Sequence, residues 1–176
     1  MKARVERITR ETQVEVNLEF TPGPVEINTG NNLLNHHITA LATHGSFSLS
    51  IKAKDDGTED AHHLFEDVAI TLGTAIDQAL GQRKIARFGW CLLPMDEVLV
   101  RCALDMVKRP FFSSNMRKDM FRHFLRSLAF SGGFNLHMDV LKEGYTHHET
   151  EACFKALGVA LKQALSPTKK EFPSTK

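Results

Sequence analysis

The feature of this chain that most constrains its fold is an internal duplication. The segments HHLFEDVAITLGTAIDQAL at 62–80 and HHETEACFKALGVALKQAL at 147–165 align without a gap. Matched positions carry identical residues, namely Leu72 and Leu157, Gly73 and Gly158, Ala75 and Ala160, Gln78 and Gln163, Ala79 and Ala164, and Leu80 and Leu165. A repeat unit of this size predicts two similar half-domains rather than a solenoid.

The duplication continues upstream of these segments. A second pair of blocks aligns around His36 and His123, where the shared residues are Leu41 and Leu128, Ala42 and Ala129, Gly45 and Gly132, Phe47 and Phe134, and Leu49 and Leu136. Hydrophobic periodicity within each half predicts two strands, a helix, a strand and a long helix. We therefore expect an α+β fold with internally duplicated β-β-α-β-α halves, forming a two-layer sandwich with helices on one face of the sheet.

The bounds of the elements follow from periodicity and turn residues. Strands are predicted near 2–9, 12–20, 47–51, 86–93, 96–106 and 134–141, with Pro94 as a break. Helices are predicted near 31–44, 62–80, 117–130 and 147–165, and Asn31 or Asn32 caps the first. We expect a single catalytic domain whose halves cover about 1–83 and 84–166, followed by a C-terminal tail at 167–176.

Composition argues against several classes of function. The 176 residues include 22 Lys+Arg and 21 Asp+Glu, so no broad basic field favours nucleic acid or a membrane surface. No apolar run is long enough to span a bilayer, and no apolar signal-peptide core is evident at the start. Three scattered cysteines, Cys91, Cys102 and Cys153, favour reduced thiols over a disulfide framework. These features predict a cytoplasmic protein.

The histidines of the duplication point to metal binding. Each long helix opens with His-His-x-x-Glu, and residues three and four apart share a helix face, so each glutamate lies beside a histidine. Glu66 and Glu151 alone could be N-terminal acids favoured by the helix dipole, but that does not account for their histidine partners. Imidazole and carboxylate donors suit manganese, iron, cobalt, nickel or zinc, whereas closed structural zinc sites usually contain cysteine.

Helix geometry also predicts how many metals are bound. Adjacent histidines on a helix point about 100° apart, so they are poorly placed to hold one ion together. One histidine of each pair is expected to serve one metal and its neighbour another. Two metals per chain follow, each with ligands from both halves of the chain or from a neighbouring subunit.

Further motifs occur in order along nearly the whole chain. They are Arg10-Glu11-Thr12, Thr29-Gly30, Ala42-Thr43-His44-Gly45, His62-His63-Leu64-Phe65-Glu66-Asp67, Arg87-Phe88-Gly89, Pro94-Met95-Asp96-Glu97, Arg109-Pro110, His147-His148-Glu149-Thr150-Glu151-Ala152 and Pro173-Ser174-Thr175-Lys176. Together they resemble the imidazoleglycerol-phosphate dehydratase family. The resemblance implies a metal-dependent lyase of histidine biosynthesis that converts D-erythro-imidazole glycerol phosphate to imidazole acetol phosphate and water.

The resemblance also implies a set of site residues. The implied metal ligands are His36, His62, His63, Glu66, His123, His147, His148 and Glu151. The implied substrate-binding residues are Glu11, His44, Arg87, Asp96, Arg109, Lys155, Ser174 and Lys176. Glu151 and Glu11 are the carboxylates expected to transfer protons, in roles that could be shared or exchanged. The resemblance further implies a two-manganese enzyme, so Mn²⁺ is the expected metal, and the assembly it implies is a 24-mer built from trimers.

The chain departs from the family pattern near the first ligand block. Asn35 replaces an acidic residue, His37 a common methionine, Ala40 a glutamine and Leu64 a threonine. Losing a polar group beside a ligand can weaken metal binding or activity about 10–100-fold. The alternatives to a dehydratase are therefore a catalytically diverged paralogue and a metal-binding cage protein without that activity. The resemblance implies that Arg87, Arg109 and Lys176 bind the phosphate of the substrate, which favours the enzyme over storage, because storage needs no anion site.

Overall fold

The described residues, 1–55, 61–117 and 119–168, form the same series of elements twice in the computed structural model. The first half contains β1 (Lys2–Ile8), β2 (Thr12–Glu19), β3 (Val25–Asn28), α1 (Asn32–Gly45), β4 (Ser48–Asp55) and α2 (His62–Leu80). The second half contains β5 (Phe88–Met95), β6 (Val98–Asp105), β7 (Phe111–Ser114), α3 (Asp119–Ser131), β8 (Asn135–Lys142) and α4 (Thr146–Ala164).

Each half builds one four-stranded sheet with the same topology. The strand orders are β1-β2-β4-β3 and β5-β6-β8-β7, and only the last pair in each sheet is parallel. The registers correspond as well, since Leu18 pairs with Leu49 in the first sheet and Leu104 with Leu136 in the second. The duplication seen in the sequence is therefore a duplication of the fold.

The four helices lie between the two sheets. The inward residues of the central strands are apolar and buried, among them Val14 and Val16 on β2 and Val100 and Cys102 on β6. In each half the long helix packs on the first two strands, so α2 covers β1 and β2 while α4 covers β5 and β6. Across the halves, α1 packs on α4 and α2 on α3. The predicted α+β class, with each sheet covered by helices on one face, is confirmed.

Three details differ from the sequence-based expectation. The strands β3 and β7 were not predicted, because each has only four residues and pairs in parallel with a strand beyond a helix. Pro94 does not break the strand pair, since β5 continues through it to Met95 and Pro94 pairs with Leu99. A proline is tolerated there because β5 is an edge strand, whose outer N–H groups need no ladder partner.

The described residues also show how the helices and cysteines compare with the expectations from composition. None of their helices is both long and apolar enough to cross a membrane. Cys91, Cys102 and Cys153 are free thiols. Burial raises the pKa of Cys153 to about 12 and the pKa of Cys102 well above its usual value, so both stay protonated and pack as small apolar residues.

Candidate metal centre

The first cluster of possible metal ligands joins α1 to α4. His36 Nε2 lies 3.1 Å from Glu151 Oε2, and His147 Nε2 lies 3.4 Å from the same oxygen. The two imidazole rings are stacked, with centroids 5.3 Å apart. One donor atom from each residue lies within 4.8 Å of the others, a spacing that a single cation could bridge.

The second cluster repeats this arrangement between α2 and α3. His123 Nε2 lies 3.3 Å from Glu66 Oε1, and the His123 and His62 rings are stacked at 4.7 Å. Both clusters combine a histidine and a glutamate four residues apart on the long helix of one half with a histidine from the first helix of the other half. The structure therefore groups six of the eight implied ligands into two matched sets, each made by both halves.

Close helix crossings bring the two halves of each cluster together. A Cβ atom at Gly158 on α4 would lie 2.3 Å from the carbonyl oxygen of Leu41 on α1. A Cβ atom at Gly73 on α2 would lie 2.7 Å from the carbonyl oxygen of Leu128 on α3. These glycines occupy matched positions in the duplicated segments, so the missing side chains allow the same close approach at both crossings.

The second histidine of each pair points away from its cluster, as helix geometry predicts. The His62 and His63 rings are inclined at 78°, and His63 is exposed. The His147 and His148 rings have centroids 6.4 Å apart, and His148 Nδ1 lies 3.2 Å from Glu97 Oε2 and 3.8 Å from Asp96 Oδ2. His63 and His148 therefore lie outside these two clusters, and each can serve a different ion from the one its neighbour would hold.

Glu151 is electrostatically suited to be a ligand. Its carboxylate accepts hydrogen bonds from Lys155 Nζ at 2.8 Å and from His36 at 3.1 Å. Burial on its own raises the pKa of Glu151, but the hydrogen bonds and positive charges of Lys155 and His36 outweigh it and lower the pKa to about 2. The group is thus ionised at any physiological pH, which favours binding a cation and makes it a weak base.

Glu11, the other predicted proton-transfer residue, lies in the turn between β1 and β2. Asp67, which follows Glu66 on α2, holds this turn by accepting from Thr12 Oγ1 at 2.5 Å, Arg7 Nε at 2.7 Å and Thr9 Oγ1 at 3.2 Å. The Glu11 N–H in turn donates to Thr9 Oγ1. The turn that carries Glu11 is therefore fixed to the helix that carries Glu66.

The implied substrate-binding residues are less closely grouped. Arg87 is held by Asp105 in two hydrogen bonds of 2.6 and 2.9 Å, and Lys155 is held by Glu151. Arg109 is exposed beside the start of β7, and Asp96 is exposed in the turn between β5 and β6. His44 lies in the last turn of α1 with Nδ1 2.8 Å from the carbonyl oxygen of Ala40. The predicted positions Ser174 and Lys176 lie outside the described residues.

The departures from the family pattern have structural explanations at two positions. Asn35 Oδ1 accepts hydrogen bonds from Thr29 N at 3.0 Å and Thr29 Oγ1 at 2.7 Å, which a carboxylate oxygen would do equally well. His37 is fully buried and packs edge-on against Phe121, with ring centroids 4.6 Å apart, beside Phe154. Ala40 and Leu64 are buried and apolar.

Sequence reasoning overlooked Glu97 as a contact of His148. Its Oε1 also accepts the N–H of Tyr145, at 2.7 Å, at the start of α4. The duplication could have indicated Glu97, because the 86-residue offset that relates Leu18 to Leu104 also relates Glu11 to Glu97.

The predicted cap of α1 is confirmed, since Asn31 Oδ1 accepts from Leu34 N at 3.0 Å.

Comparison with known proteins identifies the family. A family model described as imidazoleglycerol-phosphate dehydratase matches residues 29–161. The imidazoleglycerol-phosphate dehydratase of Chlorobium chlorochromatii is 41% identical, over 99% of this chain and 95% of the relative. That of Caldivirga maquilingensis is 40% identical, over 99% of this chain and 96% of the relative.

A solved structure extends the similarity to the fold. The crystal structure of imidazoleglycerol-phosphate dehydratase from Staphylococcus aureus matches with a TM-score of 0.85 and 31% identity. The match covers 96% of this chain and 100% of that chain. The chain therefore belongs to the imidazoleglycerol-phosphate dehydratase family and is a hydro-lyase.

Proposed function

We propose that this chain is a manganese-dependent dehydratase that converts D-erythro-imidazole glycerol phosphate to imidazole acetol phosphate and water in histidine biosynthesis. The observation that carries the proposal is the pair of matched clusters, each with two histidines and a glutamate drawn from both halves. The names of the relatives supply the substrate. A cage protein that only stored metal would need the donors but not the substrate-binding residues.

The donors of both clusters fit divalent metal ions. In the proposal one ion is held by His36, His147 and Glu151, and the other by His62, Glu66 and His123. His63 and His148 point away from these clusters and would complete the coordination shells of neighbouring copies. Nitrogen and carboxylate oxygen without thiolate suit Mn²⁺. When bound, the metal would act as a Lewis acid toward the imidazole of the substrate.

The reaction requires a C–O bond and a C–H bond on adjacent carbons to break. The hydroxyl takes up a proton and leaves as water, and a base takes the proton of the next carbon, so no net proton is gained or lost. The resulting enol gives up its hydroxyl proton, gains a proton on the neighbouring carbon and becomes the ketone. Glu151 is a poor base, because its ion pair with Lys155 and its contact with His36 lower its pKa to about 2. We therefore assign the proton transfer to Glu11 and treat Glu151 as a ligand.

The phosphate of the substrate needs cations that are not fully engaged elsewhere. Arg109 is exposed and can offer a bidentate guanidinium, and Ser174 and Lys176 are assigned to the same role. Arg87 would have to share its guanidinium with Asp105, and Lys155 its ammonium with Glu151. His44 and Asp96 are assigned to contacts with the rest of the substrate.

The proposed assembly is a homo-oligomer, a 24-mer built from trimers, located in the cytoplasm. Support for self-association comes from three large apolar side chains that are more than half exposed on one face of β5, Phe88, Trp90 and Leu92. Support for a reducing compartment comes from the three free thiols.

The test is turnover by metal-free protein reconstituted with Mn²⁺. The wild-type protein should form imidazole acetol phosphate, and Glu151→Gln should lower the rate by at least about 100-fold while the circular dichroism spectrum is unchanged. Glu26→Gln, an exposed carboxylate on β3, is the matched control and should keep wild-type turnover. Absence of product with wild-type protein that has bound manganese would leave only a diverged paralogue or a metal-binding cage.

A further inference from the structure

The turn between β5 and β6 reaches the start of α4, the helix that opens with His147 and His148. Glu97 Oε1 accepts the Tyr145 N–H at 2.7 Å, and the two carboxylate oxygens lie 3.3 and 3.2 Å from His148 Nδ1. Gly144 makes room for this carboxylate, because a Cβ atom there would lie 2.3 Å from Glu97 Oε1. The site thus has one acceptor group, Glu97, shared by a backbone donor and an imidazole nitrogen.

Glu97 supplies an acceptor that the side chain of the N-cap residue of α4 does not provide. The N-cap residue, Tyr145, makes no side-chain hydrogen bond to the first turn of the helix. An acceptor with negative charge at a helix N-terminus satisfies a free N–H and interacts favourably with the helix dipole. The carboxylate from the adjacent turn therefore fixes the end of the helix that carries the two histidines.

In the first half, the turn between β1 and β2 is also joined to the long helix, but the acceptor lies on the helix. There the counterpart of Glu97 is Glu11, and the turn is held by Asp67 on the helix, which accepts from Thr9 and Thr12. The position that matches Asp67 in the second half is Ala152, which cannot accept. In the first half the carboxylate of Asp67 on the helix holds the turn, so the Glu11 side chain is not needed to fix the helix. In the second half the carboxylate of Glu97 in the turn holds the start of the helix.

We infer that Glu97 is a positioning residue for His148, an inference that rests on the proposed metal-dependent function. Its carboxylate accepts a hydrogen bond from Nδ1–H of His148 and so keeps the Nε2 lone pair available to a metal ion. Carboxylates that hold the second nitrogen of a ligating histidine fix its tautomer and ring orientation, and their loss typically costs about 10–100-fold in metal affinity. Glu97 would act in this way without touching the metal or the substrate.

The variant Glu97→Gln separates tautomer control from helix capping. Its amide oxygen can still accept the Tyr145 N–H, while an NH₂ group replaces the oxygen that lies 3.2 Å from His148 Nδ1. That group donates to Nδ1 and favours the tautomer protonated at Nε2. We expect manganese affinity, measured by electron paramagnetic resonance of free Mn²⁺, to fall about 10–100-fold. The unfolding midpoint of the metal-free variant should fall only slightly, because the amide keeps the hydrogen bond from Tyr145 N–H and loses only the charge at the helix N-terminus. Glu143→Gln, an exposed carboxylate near the same loop, is the control and should change neither quantity.

A second readout requires no metal. Magic-angle-spinning NMR of metal-free protein labelled with ¹⁵N-histidine, with the His148 signals assigned by their loss in His148→Gln, should show protonation at Nδ1 in the wild type and at Nε2 in Glu97→Gln. The inference is wrong if wild-type His148 is protonated at Nε2, or if Glu97→Gln binds manganese within twofold of the wild type. If the wild-type protein binds no manganese, the proposed function itself fails, and the inference fails with it.

Discussion

At the scale of single residues, the adjacent carboxylates Glu66 and Asp67 have different roles. Glu66 faces His123 in the second cluster, whereas Asp67 is buried and binds the β1–β2 turn. A helix turns about 100° per residue, so neighbouring side chains serve different surfaces. The motif His-His-x-x-Glu-Asp therefore combines candidate metal ligands with a structural anchor for the turn that carries Glu11.

Asp67 should make stability depend on pH in the acid range. Burial raises its pKa, but hydrogen bonds from Thr12 and Arg7 outweigh burial and hold the pKa below the ordinary value of 3.8. A lowered pKa means that the ionised form stabilises the fold, fully at pH values above 3.8, and that this stabilisation is lost as the pH falls through the folded pKa. Asp67→Asn should therefore cost about 1–3 kcal/mol at pH 7 and much less at low pH.

Urea denaturation of metal-free protein at pH 7 and at a pH well below 3.8 checks this expectation. Glu6→Gln, which changes an exposed carboxylate on β1, should leave both free energies of unfolding nearly unchanged. An Asp67→Asn variant whose deficit is equally large at both pH values would show that the carboxylate charge is not the stabilising feature.

Asn35 illustrates what a departure from a family pattern costs when the geometry is known. The position needs an acceptor for the N–H and hydroxyl of Thr29, and an amide oxygen supplies it at 3.0 and 2.7 Å. The acidic residue expected there from the resemblance would offer the same acceptor. The loss of a charge beside His36 therefore leaves the local hydrogen bonding intact.

At the scale of helices and strands, the decisive contacts are the two glycine crossings. Gly158 and Gly73 set how closely α4 meets α1 and α2 meets α3, and each crossing joins the two helices that carry one cluster. His36 is carried by α1, while His147 and Glu151 are carried by α4. The distance between these helices therefore controls whether the three donors can share an ion.

Gly158→Ala should weaken metal binding through this distance. Its Cβ would meet the Leu41 carbonyl oxygen at 2.3 Å, and a backbone atom cannot move without moving its helix. We expect a loss of about 1–3 kcal/mol in the free energy of unfolding, typical of an overpacked core, together with reduced Mn²⁺ affinity.

The neighbouring substitution Val159→Ala provides the control for Gly158→Ala. It removes partly buried methyl groups on the same helix without entering the crossing, so it can lower stability but should keep wild-type affinity in an isothermal titration. Equal Mn²⁺ affinities for Gly158→Ala and the wild type would show that the spacing of α1 and α4 does not control metal binding.

Much of the fold could be predicted at this scale, and the reasons for the failures are physical. The helices 62–80 and 147–165 were within one residue of the observed bounds, because long amphipathic periods and a duplication reinforce each other. The strands β3 and β7 are short, and their parallel pairing beyond a helix is a long-range contact that leaves no local pattern. Which histidine meets which glutamate depends on helix crossings, so the pairing of His36 with Glu151 could not be read from spacing.

At the scale of the whole molecule, the two halves differ in the outward-facing residues of their matched edge strands, β1 and β5. Under the 86-residue offset between the halves, Phe88, Trp90 and Leu92 of β5 correspond to Lys2, Arg4 and Glu6 of β1. One edge strand thus presents charges to solvent and its counterpart presents large apolar groups. Charged edges discourage association, whereas a contiguous apolar strip favours it. The outer face of the second sheet is therefore the part of the surface best suited to contact another copy.

Trp90 provides a direct probe of that contact, because it is the only tryptophan of the chain and is 68% exposed in the isolated subunit. If copies meet at this face, Trp90 emission in the assembled protein should be blue-shifted and should move to longer wavelength when dilute denaturant dissociates it. Trp90→Arg, which installs the residue of the matched position on β1, should reduce the assembly size in analytical ultracentrifugation, since an arginine buried without a partner is costly. Arg4→Gln alters the equivalent position of the charged edge and should keep the wild-type size. Red-shifted emission from the intact assembly, with Trp90→Arg sedimenting as the wild type does, would place the subunit contacts on another surface.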